Sequence, residues 1–496
     1  MSLDPDLDAL DTFDTLNPAT GEPIASFPVH DAAQVAEIVD RARIAAQWWA
    51  ELGWAERRRR LLAWKGILAR RIQQLSELVH RENGKPVPDA FLEIVNAIEH
   101  LHWAARHAHS VLGPRRVSPG VLMIQQSATL EYQPYGVVAV IGPWNYPVFT
   151  PMGSIAYALA AGNAVVFKPS EYTPAVGDWL VRTFAHVVPE QPVLSLVTGA
   201  GQTGAALTRS GADKVAFTGS ATTGKRVMTA CAETLTPVLI ECGGKDVLIV
   251  DSDADISAAA EAAAWGGMSN AGQTCVGVER VYVVDSVYDE FVERLTDRVR
   301  GLRAGEDAGA QIGPITMPSQ IDVIRRHIAD ALDRGARAVV GGRESVRPPY
   351  VDPVVLVDVP EDAPAVTEET FGPTLTVTRV RDADEAIDKA NASTLALAAT
   401  VFAGKRAMEL ARRVRSGMTS VNSVVAFAAI PALPFGGVGQ SGFGRIHGAD
   451  GLREFTRAKA ISRQRFRPPL PVLTFARTAA AEARLNTIVQ LRHGRR

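Results

Sequence analysis

Cys275 stands in Gly272-Gln-Thr-Cys275-Val-Gly277, a polar stretch flanked by glycines where a substrate could reach a thiol. The other two cysteines are placed differently: Cys231 falls inside a helix-length stretch and Cys242 lies beside Gly243-Gly244. A free thiol is only a few per cent thiolate at about pH 7, so a nucleophilic Cys275 needs a depressed pKa or a nearby base; with neither it is an inert buried thiol. Glu241 closes a short apolar run just before those glycines. There it is either a general base, its pKa raised toward neutrality by partly apolar surroundings, or a strand-end ion-pair partner. Asn145 sits in Pro143-Trp-Asn145-Tyr-Pro147, whose prolines and aromatics stiffen the loop. Its amide can donate to an oxyanion or simply form the turn.

Two further segments point to a nucleotide. Gly219-Ser-Ala-Thr-Thr-Gly224-Lys225 follows an apolar run and precedes a helical one. Glycines there let backbone N–H groups approach a phosphate at a helix N-terminus, although a purely structural turn has the same composition. The string departs from a P-loop at Arg226, where a Mg²⁺-holding Ser or Thr is required, which argues against a nucleotide hydrolase. Lys168, with Pro169-Ser170-Glu171 after it, ends another apolar run. An ammonium and a carboxylate at a strand's carboxyl end can bracket the hydroxyls of a ribose, or belong to a solvated turn.

These residues need a scaffold of strands. Short apolar runs at 136–142, 164–168, 193–197, 214–218 and 238–241 alternate with helix-length stretches at 152–161, 175–187 and 225–233. Runs buried on both faces and separated by helices predict a doubly wound parallel α/β sheet, with ligands at the strands' carboxyl ends. Ahead of it, 32–83 reads as helical. A second α/β alternation runs from Ile256 to Val421, with helices expected at 256–270, 288–302, 320–334, 383–391 and 406–415. Its strands are expected at 280–284, 338–340, 354–357, 375–380 and 398–402.

Composition sets the outer limits. With 496 residues and one domain per roughly 150, about three units are expected. Lys and Arg number 52 against 54 Asp and Glu, a net charge of −2, so no global field calls for nucleic acid. Three cysteines do not make a disulfide scaffold, the acidic start Met1–Leu10 is no targeting peptide, and no apolar stretch is long enough to span a bilayer. A cytoplasmic protein is expected. After Thr456 the balance turns basic, with ten Lys or Arg against Glu482, and a weakly amphipathic run at 472–491 reads as a surface arm or oligomer contact. A lipid-surface helix is the alternative for that arm.

Taken in order, these segments resemble the aldehyde dehydrogenase superfamily. The landmarks are Pro143-Trp-Asn-Tyr-Pro147, Lys168-Pro-Ser-Glu171, Phe217-Thr-Gly-Ser220 with Gly224, Glu241-Cys-Gly-Gly-Lys245, Gly272-Gln-Thr-Cys275, Glu368-Glu-Thr-Phe-Gly-Pro373 and Pro434-Phe-Gly-Gly437. The resemblance begins at Asn17-Pro-Ala-Thr-Gly21 and runs to about Thr456. It implies a hydrolytic enzyme that oxidises an aldehyde with NAD, with NADP as the alternative, and needs no metal.

The resemblance makes Cys275 the nucleophile, Glu241 the base for the hydrolytic water, and Asn145 an oxyanion donor beside the Cys275 backbone N–H. For the cofactor it implies Trp144, Lys168, Ser170, Glu171, Gly219, Ser220, Gly224, Glu369 and Phe371. A carboxylate at Glu171 favours NAD, because it accepts from a ribose 2′-hydroxyl and repels a 2′-phosphate. A coenzyme-A-acylating relative would have no need of Glu241 as a base. The implied architecture is a dinucleotide-binding domain from 1–115 and 134–242 and a catalytic domain from 243–440. Bridging segments at 116–133 and 456–496 would pair subunits into a homodimer or a dimer of dimers. The expected substrate is an apolar aliphatic or aromatic aldehyde, in a pocket near Trp144, Phe149, Trp265, Thr274, Val276 and Phe427.

Overall fold

The computed structural model describes residues 11–307, 309–468, 470 and 473–494. The acidic start at Met1–Leu10 therefore lies outside the described residues. The helical stretch from Ala32 divides into Ala32–Glu51, Gly53–Arg70 and Ile72–Asn83. The first begins at a capping box in which Asp31 accepts from the Gln34 N–H and Gln34 from the Asp31 N–H, pairing donors that no helix turn can reach.

A fourth helix, Val87–Leu112, is not among the sequence expectations. Pro86 and Pro88 look like breaks, yet both fall at the helix start, where the missing N–H has no partner to lose. Beyond them Ala90, Ile94, Ala97, Leu101, Ala104, Ala108 and Leu112 recur at helical spacing and are buried.

The first sheet has the order Gly442–Phe443, Val238–Cys242, Lys214–Gly219, Val137–Ile141, Ala164–Lys168, Leu194–Leu196. All neighbours are parallel except the Gly442–Phe443 edge. From the central Val137–Ile141 the chain builds outward to Leu194–Leu196, then crosses to the other side for Lys214–Gly219. That reversal opens a crevice at the carboxyl ends of Val137–Ile141 and Lys214–Gly219, where a doubly wound sheet binds its ligand.

The second sheet has seven strands, in the order Arg337–Val340, Val354–Val357, Thr374–Val380, Arg280–Val284, Val247–Val250, Ala398–Phe402, Met418–Val421. Val247–Val250 and Met418–Val421 add to the strands expected from sequence. Only the Arg337–Val340 edge is antiparallel. A third, antiparallel sheet joins Arg115–Val117 to Gln126–Pro134, and Gln126–Pro134 to Thr456–Gln464.

The basic tail forms a helix at Ala479–His493, later than the expected run, and of its residues only Ala481 is buried. Val472 lies outside the described residues. No described helix is long and apolar enough to cross a membrane, and the described residues contain no cluster of three or more His, Cys, Asp or Glu able to hold a metal ion.

Candidate active site

The crevice of the first sheet is a cleft of about 330 Å³. Of the residues implied for a cofactor, Trp144, Ser170, Gly219, Ser220, Glu369 and Phe371 line it, together with Asn145 and Cys275. Ser220 caps the helix Ala221–Ala232 by accepting from the Thr223 N–H, so the helix N-terminus opens onto the cleft. Gly224 lies one turn further in and does not line the cleft. A Cβ there would stand 3.1 Å from Cys242 Sγ and from Ile240 Cγ2, so its hydrogen lets the helix approach the strand closely.

Lys168 and Glu171, also implied for the cofactor, do not line the cleft; both are buried, with Nζ 3.9 Å from Glu171 Oε2. Glu171 Oε1 is buried with no hydrogen-bond partner. A buried acceptor is costly to leave unpaired, and a ribose hydroxyl would pair it. At the opposite wall Glu369 Oε1 accepts from the Gly244 N–H at 3.1 Å, and a Cβ at Gly243 would stand 1.9 Å from that oxygen, so a side chain there would push the carboxylate aside. Burial, with the Glu279 charge nearby, pushes Glu369 up to about 8.

Cys275 is presented by a turn that the helical pattern does not show. The helix Ile256–Met268 stops short of the expected Asn270, and Asn270, Ala271 and Gly272 take φ of 52°, 55° and 68°. Such left-handed backbone is uncommon outside glycine and persists only where its surroundings over-determine it. Here the surroundings are visible: Asn270 Nδ2 donates to the Asn145 and Gln273 carbonyls at 3.0 and 3.1 Å. Gln273 Nε2 donates to the Asn270 carbonyl, and Gln273 Oε1 accepts from the Thr316 N–H. Asn145 Nδ2 donates to the Gln273 carbonyl at 2.9 Å, tying the amide to the thiol's loop.

Cys275 Sγ lies 3.9 Å from Glu241 Oε1, and Glu241 Oε2 accepts from Thr218 Oγ1 at 3.2 Å. Burial raises Glu241 to about 7. Burial also pushes the Cys275 thiol well above its ordinary value, and the Glu241, Glu369 and Asp246 carboxylates add to the rise. Of the two routes to a reactive sulfur, a depressed pKa or an adjacent base, the raised thiol leaves the second, and Glu241 is the carboxylate within reach of it.

Two buried ion pairs hold the loops that carry these groups. Lys85 Nζ donates to Glu93 Oε2 at 2.5 Å and to the Asn145 carbonyl at 2.8 Å, while Glu93 Oε1 accepts from the Val148 and Phe149 N–H groups. Lys245 pairs with Glu279, which also accepts from the Thr370 and Phe371 N–H groups. Lys85, Glu93, Asn270, Gln273 and Glu279 are absent from the residues singled out by sequence. Only the Glu93 signal was accessible, as a carboxylate on the buried face of the overlooked helix.

On the far side of Cys275 a tunnel of about 90 Å³ is lined mainly by apolar side chains, including Phe149, Trp265, Val276, Val425 and Phe435. The expected lining holds for Phe149, Trp265, Thr274 and Val276 and fails for two residues. Trp144 faces the cleft, edge-on to Phe371 with ring centroids 5.5 Å apart. Phe427 is buried against Phe435, centroids 6.2 Å apart, because the segment Ala426–Ala429 turns its ring inward. Cys275 thus stands in the wall between two cavities, each open to it.

The chain is 39% identical over 449 residues to 4,4'-diapolycopene aldehyde oxidase of Methylomonas sp, covering 90% of this chain and 84% of that protein. It is 35% identical to 3-sulfolactaldehyde dehydrogenase of Pseudomonas putida, covering 92% and 94%. Among solved structures, PnpE in complex with nicotinamide adenine dinucleotide superposes with a TM-score of 0.88 at 31% identity, covering 93% of this chain and 96% of that one. The model of the aldehyde dehydrogenase family matches residues 6–461, and the chain belongs to that family as an oxidoreductase.

Proposed function

We propose that the protein oxidises an apolar, uncharged aldehyde to the carboxylic acid through a thioester on Cys275, with NAD as the preferred cofactor. The observation that carries this reading is the place of Cys275 between cleft and tunnel, with Glu241 3.9 Å from its sulfur. Glu241 takes the thiol proton as the sulfur attacks the aldehyde carbon, so the new S–C bond forms without an exposed thiolate. Asn145 Nδ2 and the Cys275 backbone N–H donate to the oxygen that becomes anionic. When bound, the nicotinamide supplies the hydride acceptor that turns the thiohemiacetal into a thioester. Glu241, its proton since released, then takes a proton from water attacking that thioester, and the acid leaves with the sulfur restored.

Trp144, Ser170, Glu171, Ser220, Glu369 and Phe371 would hold the dinucleotide. The orphaned Glu171 oxygen is the group expected to accept from the adenosine ribose. The sheet that ends in Thr456–Gln464 supports pairing of subunits: eight of that strand's nine residues are exposed at an open edge.

A panel of aldehydes of graded length, with NADH or NADPH formation followed by absorbance, tests the reading. The expected outcome is turnover of apolar aldehydes with kcat/KM higher for NAD than for NADP; equal values would contradict the assignment of Glu171. In the same assay Asn145→Ala is expected to lower kcat about 10²–10³-fold, the usual effect of losing one oxyanion donor. Turnover within threefold of the wild type would remove Asn145 from that role.

A further inference from the structure

The charge inside the tunnel does not balance. Three lining residues carry formal charge: Lys85, Asp89 and Glu93. The Lys85 ammonium is already committed, fully buried against Glu93 and donating to the Asn145 carbonyl. Asp89 accepts from the Asn270 backbone N–H and faces the same ammonium, so two carboxylates share one cation and the tunnel wall keeps a net formal charge of −1.

Its position makes that excess matter. Asp89 lies in the first turn of Val87–Leu112 and lines both the tunnel and the outer vestibule of about 850 Å³, so an aldehyde bound for Cys275 passes it. Trp265 and Ser269 line both cavities as well and bring no charge. Arg298, in the vestibule, is paired with Glu261. No lining residue of the tunnel offers an uncommitted cation to an anionic substrate.

We infer that Asp89 is a specificity-determining residue that makes the tunnel reject aldehydes bearing a carboxylate in favour of uncharged ones of the same shape. This rests on the reading of Cys275 and its tunnel given above and adds to it the residue that discriminates. The mechanism is electrostatic: a carboxylate entering a narrow, partly apolar channel loses its hydration and meets a like charge without gaining a partner. Discrimination of this kind appears as a ratio of kcat/KM values.

The test compares succinic semialdehyde with 4-methylpentanal, in which an isopropyl group replaces the carboxylate. The wild type is expected to prefer 4-methylpentanal by about 100-fold or more in kcat/KM, and Asp89→Asn to shrink that ratio about tenfold. Asp89→Arg should shrink it further and raise kcat/KM for succinic semialdehyde above the wild-type value, a gain that mere damage to the tunnel cannot produce. Added salt should narrow the wild-type ratio more than the Asp89→Asn ratio. A wild-type ratio near one, or a ratio that stays constant across the variants, overturns the inference. If 4-methylpentanal and the other neutral aldehydes give no turnover at all, the underlying reading fails instead.

Discussion

Cys275→Ser is expected to lose aldehyde oxidation by on the order of 10⁴–10⁶-fold, the scale of removing a nucleophile whose partners act as a unit with it. Serine keeps the size and a proton for Glu241 to accept, yet its hydroxyl is far less acidic than the thiol and its oxygen a weaker nucleophile, so the same carboxylate activates it far less. Circular dichroism and thermal melting should match the wild type, because the side chain donates only to Glu241. The wild type mixed with aldehyde and NAD, then quenched in acid, should show an acyl mass on the peptide containing Cys275. Cys231→Ser is the control: that thiol is buried in the helix Ala221–Ala232, away from both cavities, and its loss should leave turnover within a few-fold. Full activity in Cys275→Ser, or loss only in Cys231→Ser, would sink the assignment.

Glu241→Gln is expected to lower steady-state turnover roughly 10²–10⁴-fold, the usual contribution of a general base. The amide keeps the shape and can still meet Thr218 Oγ1 and Cys275 Sγ, but it cannot take a proton. Thiol attack should slow, and thioester hydrolysis should slow as well. An acyl group that does form should persist on Cys275 long enough for a mass spectrum, and hydroxylamine, which attacks a thioester without a base, should release it.

The pH dependence gives the same residue a second signature. Only the carboxylate form of Glu241 accepts a proton, and burial places its pKa at about 7. Wild-type activity should therefore rise as pH passes upward through about 7 and fall below it, since protonation removes the base. That limb should be missing from the Glu241→Gln profile. A variant with the same limb would assign it to another group, Glu369 at about 8 being the nearest alternative.

Much of this site is legible in the amino-acid sequence. Glu241, Asn145, Lys168 and Gly219 each close a short apolar run or follow one directly, and such runs become strands whose carboxyl ends converge on one crevice. The landmarks' order carried the rest. What escaped was whatever depends on partners far apart in the chain. Lys85 is an unremarkable lysine until the fold sets it against Glu93 and the Asn145 carbonyl. Glu279 is a charge before a strand until it accepts from Thr370 and Phe371. The turn at Asn270 and Ala271 was hidden because its residues continue a helical composition, and contacts with Asn145, Gln273 and Asp89, distant or out of pattern in the chain, hold Asn270 in place.

The sequence by itself determined the class of fold, because hydrophobic periodicity is a local property, and the order of its landmarks singled out Cys275 and Glu241 as candidates whose residue types alone leave their roles open. Tertiary structure alone decided that the thiol lies beside a carboxylate rather than a cation, that Trp144 lines the cleft and not the tunnel, and that two carboxylates in the tunnel share one ammonium. These are sums over groups distant in sequence, and burial and Coulomb interactions acquire values only once the chain has brought those groups within a few ångströms of one another.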